Sequence, residues 1–87
     1  MTLNVISLER GGDVLLKHFR RRKHLTQNQV AEILQISVRQ YQRIESGESF
    51  PRESKIVILE DLFMAPHRVL FAKSVEDVPD FLKCFLP

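Results

Sequence analysis

Two arginines, a glutamine and a valine stand at Val38, Arg39, Gln42 and Arg43 of this 87-residue chain. At about 100° per residue these four fall within one arc of a helix, while Tyr41 and Ile44 occupy the opposite arc. Guanidinium and carboxamide groups fit the base edges of a major groove. Arginine can bond O6 and N7 of guanine together, and glutamine can bond N6 and N7 of adenine. A valine beside them can touch a thymine methyl. On an arbitrary helix the same residues would be a solvated face and nothing more, so the reading depends on what positions the segment.

The flanking residues supply that positioning. Thr26 can accept a hydrogen bond from the free N–H groups of a following helix, and Gln29, three residues on, stands where a capping-box partner belongs. The segment 27–34 is therefore a predicted helix, with Val30, Ala31 and Leu34 on its apolar face and Ile33 outside that face. Ser37 repeats the capping role eleven residues after Thr26, and 38–45 is a second predicted helix, closed by Gly47. Only Gln35-Ile36-Ser37 separates the two, a break short enough to make them cross steeply as a helix-turn-helix.

The remaining punctuation outlines the rest of the chain. Gly11-Gly12-Asp13 interrupts it, and Asp13 is a candidate cap for a first helix over 14–23. Pro51 opens a fourth helix running to Phe63, with Glu53 favourable near its positive end, and Ala65-Pro66 repeats the signal for a short fifth helix to about residue 72. Residues 1–12 form an N-terminal arm in which Leu3, Val5, Ile6 and Leu8 suit either a strand or an irregular segment. Residues 73–87 form a C-terminal extension in which Pro79 opens a last short helix.

Composition bounds the function classes. The length suits one domain with a modest core, and 44% apolar with 28% charged residues is ordinary for a globular chain. The start of the sequence lacks the basic-then-apolar pattern of a secretory signal, and no stretch approaches the about 20 apolar residues of a membrane helix. A cytoplasmic protein with no membrane partner is expected. The single cysteine, Cys84, excludes an internal disulfide. His18, His24 and His67 lack the i, i+4 pairing of a helical zinc site, and there is no glycine-rich phosphate loop. No metal, no cofactor and no catalysis are expected, and Ser37 is explained as a cap.

The net charge of +2 is unevenly spread. Residues 14–43 hold seven basic side chains against the single acid Glu32, whereas residues 44–87 hold five basic against eight acidic. An amino-terminal half of this kind can face phosphates, because phosphate neutralisation supplies most sequence-independent affinity for DNA. In the run KHFRRRKH the charges point in several directions on a helix, so Arg21, Arg22 and Lys23 are either solvating residues or phosphate contacts.

From Leu16 to Leu70 the sequence resembles the Cro and phage-repressor type of helix-turn-helix domain, the Xre family. The likeness is carried by Leu16, Phe19 and Arg20, then Leu25-Thr26-Gln27, Val30-Ala31, Leu34, Ile36-Ser37, Tyr41, Ile44-Glu45, Gly47 and Pro51, and by the apolar positions Ile56, Leu59 and Phe63. It departs at Gln35 and His24, which replace common glycines, and at Ser46, which replaces a common asparagine. A non-glycine residue at position 35 has to adopt positive φ at some strain.

The resemblance implies an all-α, five-helix, lambda-repressor-like helix-turn-helix domain over residues 13–72, and the N-terminal arm and the short C-terminal extra helix lie outside the likeness. It also assigns roles. Gln27 matches a phosphate anchor; Val38, Arg39 and Arg43 match positions that reach base edges, with Ser37 and Gln42 flanking them; Arg52 matches a basic loop contact to the DNA backbone. Arg20 and Glu45 match an internal salt bridge, so that arginine is expected to be structural.

The expected partner is double-stranded DNA, read by a homodimer on a pseudo-palindromic operator, since one such unit contacts only a few base pairs. Ile58, Phe71, Phe81, Leu82 and Phe85 are the candidates for a self-association surface, although a tail bearing Phe81, Leu82 and Phe85, taken in isolation, more often folds onto its own core. The competing reading is an antitoxin or adaptor whose C-terminal FLKCFLP segment holds a partner protein such as a toxin.

Overall fold

The computed structural model describes residues 13–86. Five α-helices follow in order: α1 (Leu16–Arg22), α2 (Gln27–Leu34), α3 (Val38–Glu45), α4 (Glu53–Phe63) and α5 (His67–Leu70). Two 3₁₀ turns, Val75–Asp77 and Asp80–Phe85, complete the described chain. The fold is all-α, and no strand occurs among the described residues. The expected N-terminal arm, residues 1–12, lies outside them.

The helix-turn-helix unit forms where its caps require. Thr26 Oγ1 accepts from the Gln29 amide at 3.1 Å while Gln29 Oε1 accepts from the Thr26 amide at 2.8 Å, closing the capping box. Ser37 Oγ accepts from the Gln40 amide at 3.1 Å. Each cap contributes on the order of 1 kcal/mol. Gln35 ends α2 in the left-handed region at φ 59°, which lets the Ile36 amide reach back to the Ala31 carbonyl at 3.0 Å. Gly47, at φ 85°, closes α3 the same way, with the Glu48 amide on the Arg43 carbonyl at 2.9 Å. His24 and Met64 make the same left-handed exit from α1 and α4, so three of the four such exits use a residue other than glycine, at some cost in strain.

Apolar faces from every helix meet in one core. Leu16, Val30, Leu34, Tyr41, Leu59, Val69 and Leu70 are fully buried, and Phe19 lies against Phe63 with ring centroids 6.4 Å apart. Burying a leucine or valine of this kind stabilises by roughly 1.5–3 kcal/mol. Val78 extends the core into the C-terminal segment, and Leu82 and Leu86 pack against it. Ile33 lies outside the core and is exposed.

Four boundaries differ from the sequence reading. Asp13 does not cap α1; its carboxylate pairs with Lys17 Nζ at 2.9 Å, and α1 begins without a side-chain cap. Tertiary contacts replace the cap, because the Val14 amide donates to the Glu45 carbonyl and the Leu15 amide to the Ala72 carbonyl, both at 2.8 Å. Pro51 is buried and stands two residues ahead of α4, which starts at Glu53 behind Arg52. Helix α5 stops at Leu70, short of residue 72. Pro79 does precede a last helical segment, but one wound with i to i+3 bonds, such as Leu82 N–H to the Pro79 carbonyl at 2.9 Å. A six-residue segment gains too few i to i+4 bonds to favour the α form.

Candidate nucleic-acid interface

Helix α3 divides into a buried and an open side. Tyr41, Ile44 and Glu45 are buried, whereas Val38, Arg39, Gln42 and Arg43 are exposed. Neither Arg39 nor Arg43 is held in an ion pair among the described residues. Arg39, Gln42 and Arg43 line a shallow hollow with Ser46 and Glu48. Ser37, at the mouth of α3, is exposed while its hydroxyl accepts the cap bond. Arg52 is exposed at the start of α4 and shares a second hollow with Gln40, Phe50, Pro51 and Lys55.

Beneath the open side lies a polar connection running from α1 to α3. Arg20 is 8% exposed and Glu45 3%; the Arg20 Nε donates to Glu45 Oε2, and Nη2 lies 3.4 Å from Oε1. The third edge of the guanidinium donates from Nη1 to the Leu25 carbonyl at 2.8 Å, where the chain turns towards α2. Glu45 bonding holds the Arg20 guanidinium protonated, above its ordinary range. Tyr41 lies beside this pair with its hydroxyl buried and no partner at hydrogen-bond geometry. Burial first, and the Glu45 carboxylate next, push its ionisation far above the ordinary phenol value, so the ring stays neutral.

Gln27 joins the connection at the first position of α2. Its Nε2 donates to Glu45 Oε1 at 3.0 Å, and its Oε1 accepts from Gln42 Nε2 at 3.1 Å. Among the expected site residues, the fold therefore links Arg20, Glu45, Gln27 and Gln42, and sets Arg39 and Arg43 beside Gln42. Sequence reasoning missed Glu48 and Lys55 at the two hollows. Lys55 was within reach of it, as a second basic residue three positions after Arg52. The bond between the two glutamines had no such signal, since they lie fifteen residues apart.

The basic end of α1 faces elsewhere. Arg21 and Arg22 line a hollow with Leu15, His18, Val75 and Leu86, and Arg22 and Lys23 line another with Phe85; no residue of α3 takes part in either. Of the self-association candidates, Ile58, Phe71 and Leu82 are partly buried against the core, and Phe71 meets Phe50 at a tilt with ring centroids 4.9 Å apart. Phe81 is 71% exposed and Phe85 40%, with the Arg68 guanidinium 5.8 Å from the Phe81 ring.

The family described as "Helix-turn-helix domain" matches residues 14–72, a span that takes in all five α-helices. The chain belongs to the helix-turn-helix domain family. Neither the search of curated proteins nor that of solved structures returned a match. In this helix-turn-helix domain α2 and α3 are the motif's two helices, and DNA binding is the activity that family membership suggests. Among the described residues no group of histidine, cysteine, aspartate or glutamate is placed to hold a metal ion. No described helix of the domain is long and apolar enough to cross a membrane.

Proposed function

We propose that this protein is a sequence-specific repressor of transcription, of the Cro and phage-repressor (Xre) type, that lays α3 in the major groove of double-stranded DNA. The observation that carries this reading is the division of α3: Tyr41, Ile44 and Glu45 lock one side into the core, and Val38, Arg39, Gln42 and Arg43 stand exposed on the other. Arg39 and Arg43 read guanine edges, Gln42 an adenine, and Val38 a thymine methyl. Ser37 flanks them at the helix mouth. Arg52 anchors a phosphate, as does the backbone N–H of Gln27, which at the first position of α2 has no partner within the helix.

A homodimer completes the reading, because two such units on a twofold axis span half-sites about 34 Å apart. Phe81 and Phe85, left outside the core while Val78 and Leu82 pack inward, supply apolar surface for the second copy. The same two side chains fit a second reading, in which the C-terminal segment holds a partner protein such as a toxin. Selection of bound duplexes from a random pool, with the stoichiometry of the complex measured by light scattering, tests both. A pseudo-palindrome bound by two copies is expected. No enriched sequence, or one copy per duplex, contradicts the DNA reading or the dimer respectively.

A further inference from the structure

Gln27 and Gln42 are joined in a chain of hydrogen bonds whose direction is set at its buried end. Glu45, 3% exposed and paired with Arg20, is a carboxylate and can only accept. Gln27 must therefore turn its NH2 group to Glu45, at 3.0 Å, which leaves its carbonyl oxygen towards Gln42. That oxygen in turn takes a proton of the Gln42 NH2 group, at 3.1 Å. A free glutamine at a helix surface presents its amide either way round with little preference. Here the buried charge fixes both amides, and Gln42, which is exposed, keeps one N–H and its carbonyl oxygen uncommitted. One donor beside one acceptor is the pair that adenine N7 and N6 take in the major groove.

We infer that Gln42 is a specificity-determining residue for adenine and that Gln27 is its positioning residue, acting through the amide relay from Glu45. The Gln27 side chain then sets the sense in which Gln42 meets a base instead of itself holding the DNA. The inference rests on the proposed DNA reading, and it adds to that reading the residue that sets how Gln42 meets its base.

The test compares enriched sequences and affinities for wild type, Gln27→Met, Gln42→Met and the double variant. Methionine keeps the length of each side chain and removes its hydrogen bonds, and thermal unfolding verifies that each variant folds. Gln42→Met is expected to lower the preference for adenine at one operator position by about 5- to 150-fold, the range of a bidentate contact. Gln27→Met is expected to lower it at the same position by roughly tenfold, a larger change than in affinity for non-specific duplex. The double variant should lose no more there than Gln42→Met alone, because the two residues act in series. Gln27→Met weakening every duplex alike with the base preference intact overturns the inference and makes the Gln27 side chain a phosphate contact. A wild-type protein that enriches no sequence overturns the DNA reading itself, and the relay's role with it.

Discussion

The helix-turn-helix unit and the C-terminal segment are held to the same core by different forces. The first depends on directional bonds: two side-chain caps, two left-handed helix exits, and a buried ion pair that continues through two amides to the surface. The second is held by Val78, Leu82 and Leu86, whose packing has no directional requirement, and by i to i+3 turns. Directional bonds fix which way α3 points and which groups it offers. Apolar contact fixes only that the tail lies down, and leaves Phe81 and Phe85 to the outside. Precision is thus concentrated where a groove would be read, and looser attachment where a second copy or a partner would dock.

That contrast can be broken at its strongest point. Arg20→Met leaves the Glu45 carboxylate buried without its cation, and is expected to destabilise by about 3–5 kcal/mol, measured from urea unfolding. A loss below about 1 kcal/mol would place the pair among surface ion pairs and remove the directional framework under α3. Leu82→Ala in the tail should cost less, about 1–2 kcal/mol, because Leu82 is only partly buried and the range for a fully buried leucine is roughly 2–5 kcal/mol. It should leave DNA affinity per protomer unchanged.

A gain is expected at the turn. Gln35 holds φ 59° without being glycine, so Gln35→Gly relieves strain and should raise stability by roughly 0.5–1 kcal/mol. The smallest effect is a pH dependence at α5. The Glu60 carboxylate accepts from His67 Nδ1 at 3.0 Å and from the His67 amide at 2.7 Å, and these bonds hold its pKa below the ordinary carboxylate value. A depressed folded-state pKa contributes stability that is full above the unfolded-state value and lost as pH falls through the folded one. Glu60→Gln should therefore flatten the acid limb of the stability profile. A profile steeper than wild type over that window would contradict the assignment.

How much was legible beforehand follows the same division. The bounds of α2 and α3 could be read because Thr26, Gln29 and Ser37 act on amides within three residues of themselves. The strain at Gln35 was legible too, because the family that the sequence resembles commonly has glycine at that position. Asp13 failed as a cap because the free amides at Val14 and Leu15 find carbonyls at Glu45 and Ala72, distant in sequence. The left-handed exit at Met64 carried no glycine or asparagine to announce it. Gln27 and Gln42 were each readable as polar helix residues, yet their bond depends on the crossing of α2 and α3, which local chemistry does not specify. The split within the tail, Leu82 inward and Phe81 outward, needed the winding of the Asp80–Phe85 turn.

The most direct test of the account is the affinity of Arg39→Ala and Arg43→Ala for a duplex enriched by the wild-type protein, measured at fixed salt. Each change is expected to cost about 1–3 kcal/mol and to relax selectivity at one base position, whereas Arg52→Ala should weaken all sequences alike and flatten the salt dependence. Unchanged affinity in both α3 variants would show that the exposed side of that helix is not what meets DNA.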